Sequence, residues 1–150
     1  MIKNPPMSRI RSIERNFPRY FVGLVIMATG SGKALDIPGF VGVIEGYRLL
    51  PDWLGASLAY SLPCIELGSA LMLLSGCFLL VGAGLAVGLH LAMISAVLIT
   101  LNRGIEVENC GCFGVFLARP LGVNTLIEDL VMLLFSVWAW INALKSKKED

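Results

Sequence analysis

Residues 83–101 read AGLAVGLHLAMISAVLITL, a run with no formal charge and a single histidine, His90. About 20 apolar residues are what a helix needs to cross the hydrocarbon core of a bilayer. The run shows no two-residue alternation that would suit a half-buried strand, and a helix satisfies its own backbone in lipid. Working outward, comparable stretches lie at about 54–80, about 125–144 and, less cleanly because of Gly30-Ser31-Gly32-Lys33, about 20–35. The whole chain agrees with this reading. Of its 150 residues 56% are hydrophobic and only 15% charged, where soluble domains carry about one-quarter charged residues. The expected fold is all-α: an integral membrane four-helix bundle, one domain over 1–150, with tails at 1–19 and 145–150.

Charge placement orients the bundle. Lys3, Arg9, Arg11, Arg15 and Arg19 precede the first span, and Lys145, Lys147 and Lys148 follow the last. Only Lys33, Arg48, Arg103 and Arg119 fall on the opposite side. An even number of spans and the positive-inside rule put both termini in the cytoplasm. The expected location is a bacterial-type inner membrane, crossed several times, with the loop between spans three and four outside. A cleaved signal peptide ending near Ala28-Thr29-Gly30 is a weaker alternative, because the leader ahead of the apolar run is long. The net charge of +1 and the absence of a basic stripe give no case for nucleic acid. Between spans one and two, Phe40, Ile44 and Tyr47 recur at helical spacing behind Pro38 and ahead of Pro51. This predicts a short helix, either lying in the outer interface or serving as a plain packing segment over the bundle. Spans two and three should meet in a tight turn near Val81-Gly82-Ala83. Gly84, Gly88, Ala92 and Ala96, at four-residue steps, predict a close helix seam.

Chemistry concentrates in Cys110-Gly111-Cys112-Phe113-Gly114, in the outer loop, on the oxidising side if the orientation holds. Two cysteines one residue apart can join only if the chain bends, since the extended i to i+2 distance of ~7 Å exceeds the usual disulfide range. Gly111 permits the bend. A ring so small is strained, and strained bridges are the labile or catalytic ones. Arg103 and Arg119 would favour a thiolate here, and Glu106 and Glu108 would oppose it. A structural staple and capture of a soft metal are the competing readings. A zinc centre lacks ligands, and no metal is expected. Cys64 and Cys77, 13 residues apart on one predicted helix, cannot bridge each other. Cys64 is retained as a relay candidate, against its plainer reading as a small apolar residue.

Inside the membrane, Glu66 on span two and His90 on span three fall at similar depth, with Lys33 somewhat higher on span one. Charges in lipid are costly, so the three are expected to face the bundle interior. They serve there either as a structural knot or as a proton or quinone site. Thr125 and Glu128 have capping-box spacing at the head of span four, and Asp129 has no assigned role. Trp138 and Trp140 suit interfacial anchors.

Four pieces in order resemble the MauE/DoxX-like membrane family, on its methylamine-utilisation MauE branch within the DoxD-like group. They are Gly30-Ser31-Gly32-Lys33 with Asp36, Leu62-Pro63-Cys64-Ile65-Glu66-Leu67-Gly68, Asn102-Arg103-Gly104, and the Cys110–Gly114 motif. The resemblance implies a four-helix membrane protein linked to methylamine metabolism. Such a protein would help a periplasmic thioredoxin-like partner mature a disulfide-rich client, the small subunit of methylamine dehydrogenase. DoxX/DoxD relatives imply quinone-coupled oxidation of sulfur compounds. The outline is also similar to DsbB and vitamin K epoxide reductase bundles, which use two cysteine pairs where this chain offers one.

The resulting expectation is a membrane thiol–disulfide oxidoreductase or maturation factor. Cys110 and Cys112 would carry the exchange, and a quinone, implied by resemblance only, would sit near Glu66, His90 and Lys33. The alternatives are a DoxX/DoxD-like oxidation subunit, a non-catalytic assembly subunit that holds a redox partner at the membrane, and a soft-metal carrier. Client, direction of exchange and oligomeric state are not encoded in any motif.

Overall fold

A computed structural model describes residues 7–149, with side chains over 16–51 and 53–147. The chain forms five helices: α1 (Met7–Leu35), α2 (Ile37–Gly46), α3 (Asp52–Ser75), α4 (Leu79–Asn102) and α5 (Val123–Glu149). Among the described residues there is no strand. Trp53–Ser75, Leu79–Asn102 and Val123–Lys147 are each long and apolar enough to cross a membrane. The Asn16–Leu35 part of α1 qualifies together with α2, across a bend of 102°. The protein is a membrane helical bundle with three helices that qualify singly as spans, and the bent pair of α1 and α2 is a fourth candidate in place of the straight first span expected. Lys3 and the side chains of Arg9, Arg11, Arg15 and Lys148, which carry much of the charge argument, lie outside the described residues.

The bend has a local cause. Asp36 leaves the helical region, and its Oδ1 accepts the Gly39 amide at 2.9 Å, capping α2. Pro38 sits in the first turn, where its missing N–H costs nothing. The anticipated short helix is therefore present. Pro51, expected as its stop, instead caps the N-terminus of α3.

The second and third crossings part earlier than hydropathy suggests. Instead of running to about residue 80, α3 ends at Ser75, where Gly76 takes φ +81°. Phe78, also left-handed at φ +53°, starts α4. The turn is thus Gly76-Cys77-Phe78, and Val81–Ala83 lie within α4. Glycine adopts this conformation without the Cβ clash that an ordinary residue suffers. Cys77 lies in the turn rather than on the helix of Cys64.

Helices α1 and α3, and α4 and α5, form the main contacts. Their shared core is Val22, Ile26, Ala70, Leu73, Ala83 and Ala86. Lipid is as apolar as leucine, so close approach and dispersion hold such helices together. At Gly82 a methyl group would come within 2.6 Å of Met72 Cβ, and the Gly82 carbonyl accepts from buried Ser69 Oγ at 2.9 Å. This is the true α3–α4 seam. The expected stripe is largely turned away: Gly88 and Ala92 are exposed, and Gly88 has no neighbour where a side chain would begin. The capping box at Thr125 does not form either. Helix α5 begins two residues earlier, at Val123, and Glu128 pairs with Arg119.

Candidate functional site

The loop after α4 folds back on the bundle. Cys110 N–H donates to the Arg119 carbonyl at 2.8 Å, and Leu121 N–H to the Val107 carbonyl at 2.9 Å, closing the segment into a short hairpin-like flap. Gly111 and Gly114 take φ of +72° and +66°. Asn109 spans the turn, accepting from Gly111 N–H at 2.9 Å and donating to the Gly114 carbonyl at 3.0 Å. Tyr47, just past α2, donates its hydroxyl to the Cys110 carbonyl at 2.6 Å.

The Gly30–Lys33 motif explains where the loop rests. A methyl on Gly32 would lie 2.7 Å from the Phe113 carbonyl oxygen, and one on Gly114 would lie 2.7 Å from the Gly32 carbonyl oxygen. Two backbones touch here because neither residue has a side chain. The next residue, Lys33, is 1% exposed. It donates from Nζ to Glu66 Oε1 at 2.5 Å and lies 5.8 Å from the Phe40 ring centroid. A buried cation is tolerable only when paired and hydrogen-bonded in this way.

The loop brings the two sulfurs together. Cys110 and Cys112 are both free thiols with Sγ atoms 3.2 Å apart, linked by one S–H···S hydrogen bond. The thiols are not equivalent. Cys110 is lowered to about 6 because Cys112 donates to it from both side chain and backbone and Arg119 adds positive potential, against burial and Glu128. Cys112 moves the other way, holding its proton for Cys110 and losing hydration. The thiolate therefore belongs on Cys110 at neutral pH. The acid opposing it is Glu128, not Glu106 or Glu108.

Each cysteine faces a different space. Cys110 borders an apolar groove of about 400 Å³ among α2, α3 and α4, lined by Phe40, Ile44, Tyr47, Leu62, Met93 and Arg103, among others. Cys112 borders a smaller cavity of about 100 Å³ inside the bundle. That cavity is also lined by Lys33, Glu66, His90, Arg119, Glu128 and Asp129. The structure thus gathers Lys33, Glu66 and His90 with Cys112. His90 Nδ1 lies 2.7 Å from the Ala86 carbonyl, which can only accept, so Nδ1 carries a proton. Asp129 is the member that residue order did not single out. Cys64 stays apart: it is exposed, its thiol donates to the Tyr60 carbonyl at 3.5 Å, and it lines neither space. The structure brings neither Cys64 nor Cys77 to the pair.

A family model described as methylamine utilisation protein MauE matches residues 12–142. The chain belongs to the MauE family. Methylamine utilisation protein MauE of Methylophilus methylotrophus is 32% identical over 126 residues, covering 84% of this chain and 60% of that protein. The MauE protein of Paracoccus denitrificans is 30% identical over 114 residues, covering 76% and 61%. That of Methylorubrum extorquens is 36% identical over 97 residues, covering 65% and 52%. The chain spans about three-fifths or less of the length of these curated relatives. No solved structure matches it significantly. The MauE match takes in both glycine-mediated contacts, the Lys33–Glu66 pair and the Cys110–Cys112 loop.

Proposed function

We propose that this MauE-family chain is a membrane accessory protein of methylamine utilisation that exchanges disulfides through Cys110 and Cys112. The partner is an extracytoplasmic thioredoxin-like protein or a disulfide-rich client. The supporting observation is the polarised pair: two unbonded sulfurs 3.2 Å apart, one held as thiolate and its neighbour as thiol. In exchange, Cys110 thiolate attacks one sulfur of a partner disulfide, forming a mixed disulfide and releasing the other partner sulfur as a thiolate. Cys112 then attacks Cys110 Sγ. The protein disulfide forms and the second partner thiolate leaves. Run backwards, the same steps oxidise a partner dithiol. The inner-membrane location, with this loop outside and both termini cytoplasmic, belongs to the same reading.

The groove favours a lipid-soluble quinone as a second redox partner, as in the DoxX/DoxD-like alternative. Small-molecule sites usually enclose about 300–1,000 Å³. The groove at Cys110 has that size, and the cavity at Lys33, Glu66 and His90 is too small for a ring. Phe40, Ile44, Leu62 and Met93 would hold the ring, with Arg103 as a polar partner. A bound quinone would supply a sink for two electrons and two protons. Cys110, 1% exposed, borders this groove directly.

The test uses the full chain in lipid nanodiscs. Alkylation of Cys110 should be half-maximal near pH 6, falling at lower pH as the thiolate is protonated. In Cys112→Ser the midpoint should rise toward the ordinary thiol value of about 8.5, even with a weaker hydroxyl donor in place. In cells, Cys112→Ser should accumulate a mixed disulfide with its partner, and Cys110→Ser should not. Normal growth on methylamine with both cysteines replaced would refute the exchange role.

A further inference from the structure

Among the described residues, Asp129 is the one carboxylate at the Cys112 cavity left without a cation. Of the cations facing that space, Lys33 on α1 is bound to Glu66 of α3. Arg119, in the loop, gives two hydrogen bonds to Glu128 of α5, at 3.0 and 2.8 Å. On α4, His90 uses Nδ1 on the Ala86 carbonyl and Ser136 Oγ. Asp129 Oδ2 is nonetheless fully buried and accepts no hydrogen bond among the described residues. A buried carboxylate oxygen with neither cation nor donor is costly. The same atom as a protonated hydroxyl can donate, and the acid–base group lining its cavity from the loop is Cys112.

We propose that Asp129 exchanges a proton with Cys112 during thiol–disulfide exchange. The proposal rests on the exchange reading above. In the oxidising direction, the Asp129 carboxylate takes the proton from Cys112 Sγ. The freed electron pair forms the bond to Cys110 Sγ, and the bond from Cys110 to the partner sulfur breaks, its electron pair leaving on the partner as thiolate. In the reducing direction, a partner thiolate attacks Cys110 and the Cys110–Cys112 bond breaks. Cys112 then leaves as thiolate and takes the proton from the Asp129 carboxyl group. The pair's two electrons pass only between sulfurs, and Asp129 carries a proton alone. Glu66 Oε2 is also buried and without a hydrogen-bond partner, but its other oxygen is tied to Lys33.

The experiment follows the full chain, reduced and in nanodiscs, with dithiodipyridine as a small neutral disulfide probe. Attack by Cys110 releases a first thiopyridone, and resolution by Cys112 releases a second. Asp129→Asn should leave the first release within about twofold and slow the second by about 100-fold, the scale of a lost general base. Asp129→Glu should recover most of the second phase. In the unmodified protein the second phase should be flat between about pH 7 and 8, a proton acceptor at hand making hydroxide unnecessary. In Asp129→Asn it should climb with pH. Lys33, Glu66, His90, Arg119 and Glu128 face the same cavity, so recovery by Asp129→Glu is what assigns the effect to position 129. An unchanged second phase in Asp129→Asn, or a second phase in the unmodified protein that rises about tenfold per pH unit, overturns the proposal. Loss of both releases in the unmodified protein removes the exchange reading and this one with it. If Asp129→Asn does not fold, the pH profile of the unmodified protein still decides.

Discussion

Gly32 and Gly114 show how two hydrogen atoms set the position of the cysteine loop. A methyl at either site would be driven to 2.7 Å from a carbonyl oxygen of the opposing backbone. Backbone cannot rotate away as a side chain can, so the loop must lift. Gly32→Ala is expected to cost about 1–3 kcal/mol, the usual range for overpacking. Gly114→Ala should cost more, because φ +66° adds about 1–2 kcal/mol for a residue with a Cβ. Gly68→Ala, on α3 with nothing within 4 Å of the new methyl, should be neutral or mildly stabilising. Thermal unfolding in a mild detergent checks the order, and equal melting points for Gly32→Ala and Gly68→Ala would contradict it. The motif around Gly32 was readable from residue order as a resemblance. Its mechanical reason was not, because Gly32 and Phe113 are neighbours only after α1 and the loop have packed.

Elements meet through the Lys33–Glu66 pair, which ties the end of α1 to the middle of α3. Both groups are buried. Removing one partner leaves an uncompensated charge in a poorly polarisable setting, which generally costs about 3–5 kcal/mol. Lys33→Met is therefore expected to destabilise the bundle strongly. Replacing both residues, as Lys33→Met with Glu66→Leu, should recover much of the loss. A double-mutant cycle by thermal or denaturant unfolding measures the coupling, and strictly additive losses would mean the pair acts as two independent groups. The exposed Arg119–Glu128 pair spans loop and α5 but stands in high dielectric. Breaking it should change stability by less than about 1 kcal/mol. The helices themselves were anticipated with the right number and order, and the short α2 with them. Their ends were less legible. Gly76-Cys77-Phe78 is too apolar to interrupt a hydropathy run, and only two left-handed residues reveal the break. The small-residue stripe misled for a related reason. Four-residue spacing puts residues on one face of a helix without saying which face meets the neighbour.

At the scale of the molecule, the loop of Cys110 and Cys112 and the turn of Cys77 lie at opposite ends of α4. This makes the orientation testable with the chain's own chemistry. In a background lacking the other cysteines, Cys77 should react with a membrane-impermeant maleimide only after the membrane is opened, and Phe116→Cys should react in intact spheroplasts. Both positions are exposed. The reverse labelling pattern would place the redox pair in the cytosol, where thiols are kept reduced, and would end the exchange reading.

The residue order alone determined that this chain lives in lipid as a helical bundle, because apolar length and charge placement are properties of each segment taken singly. It also singled out Cys110-Gly111-Cys112 as the candidate for reactivity, since a spacing of two residues is local. Only the tertiary structure decided which thiol is drawn down, Cys110, and which is pushed up, Cys112. It also decided that Cys64 takes no part in the pair's surroundings, and that Asp129, Glu66, His90 and Lys33 share one cavity with Cys112. Those facts depend on potentials and distances between groups on different helices, which exist only once the helices have packed.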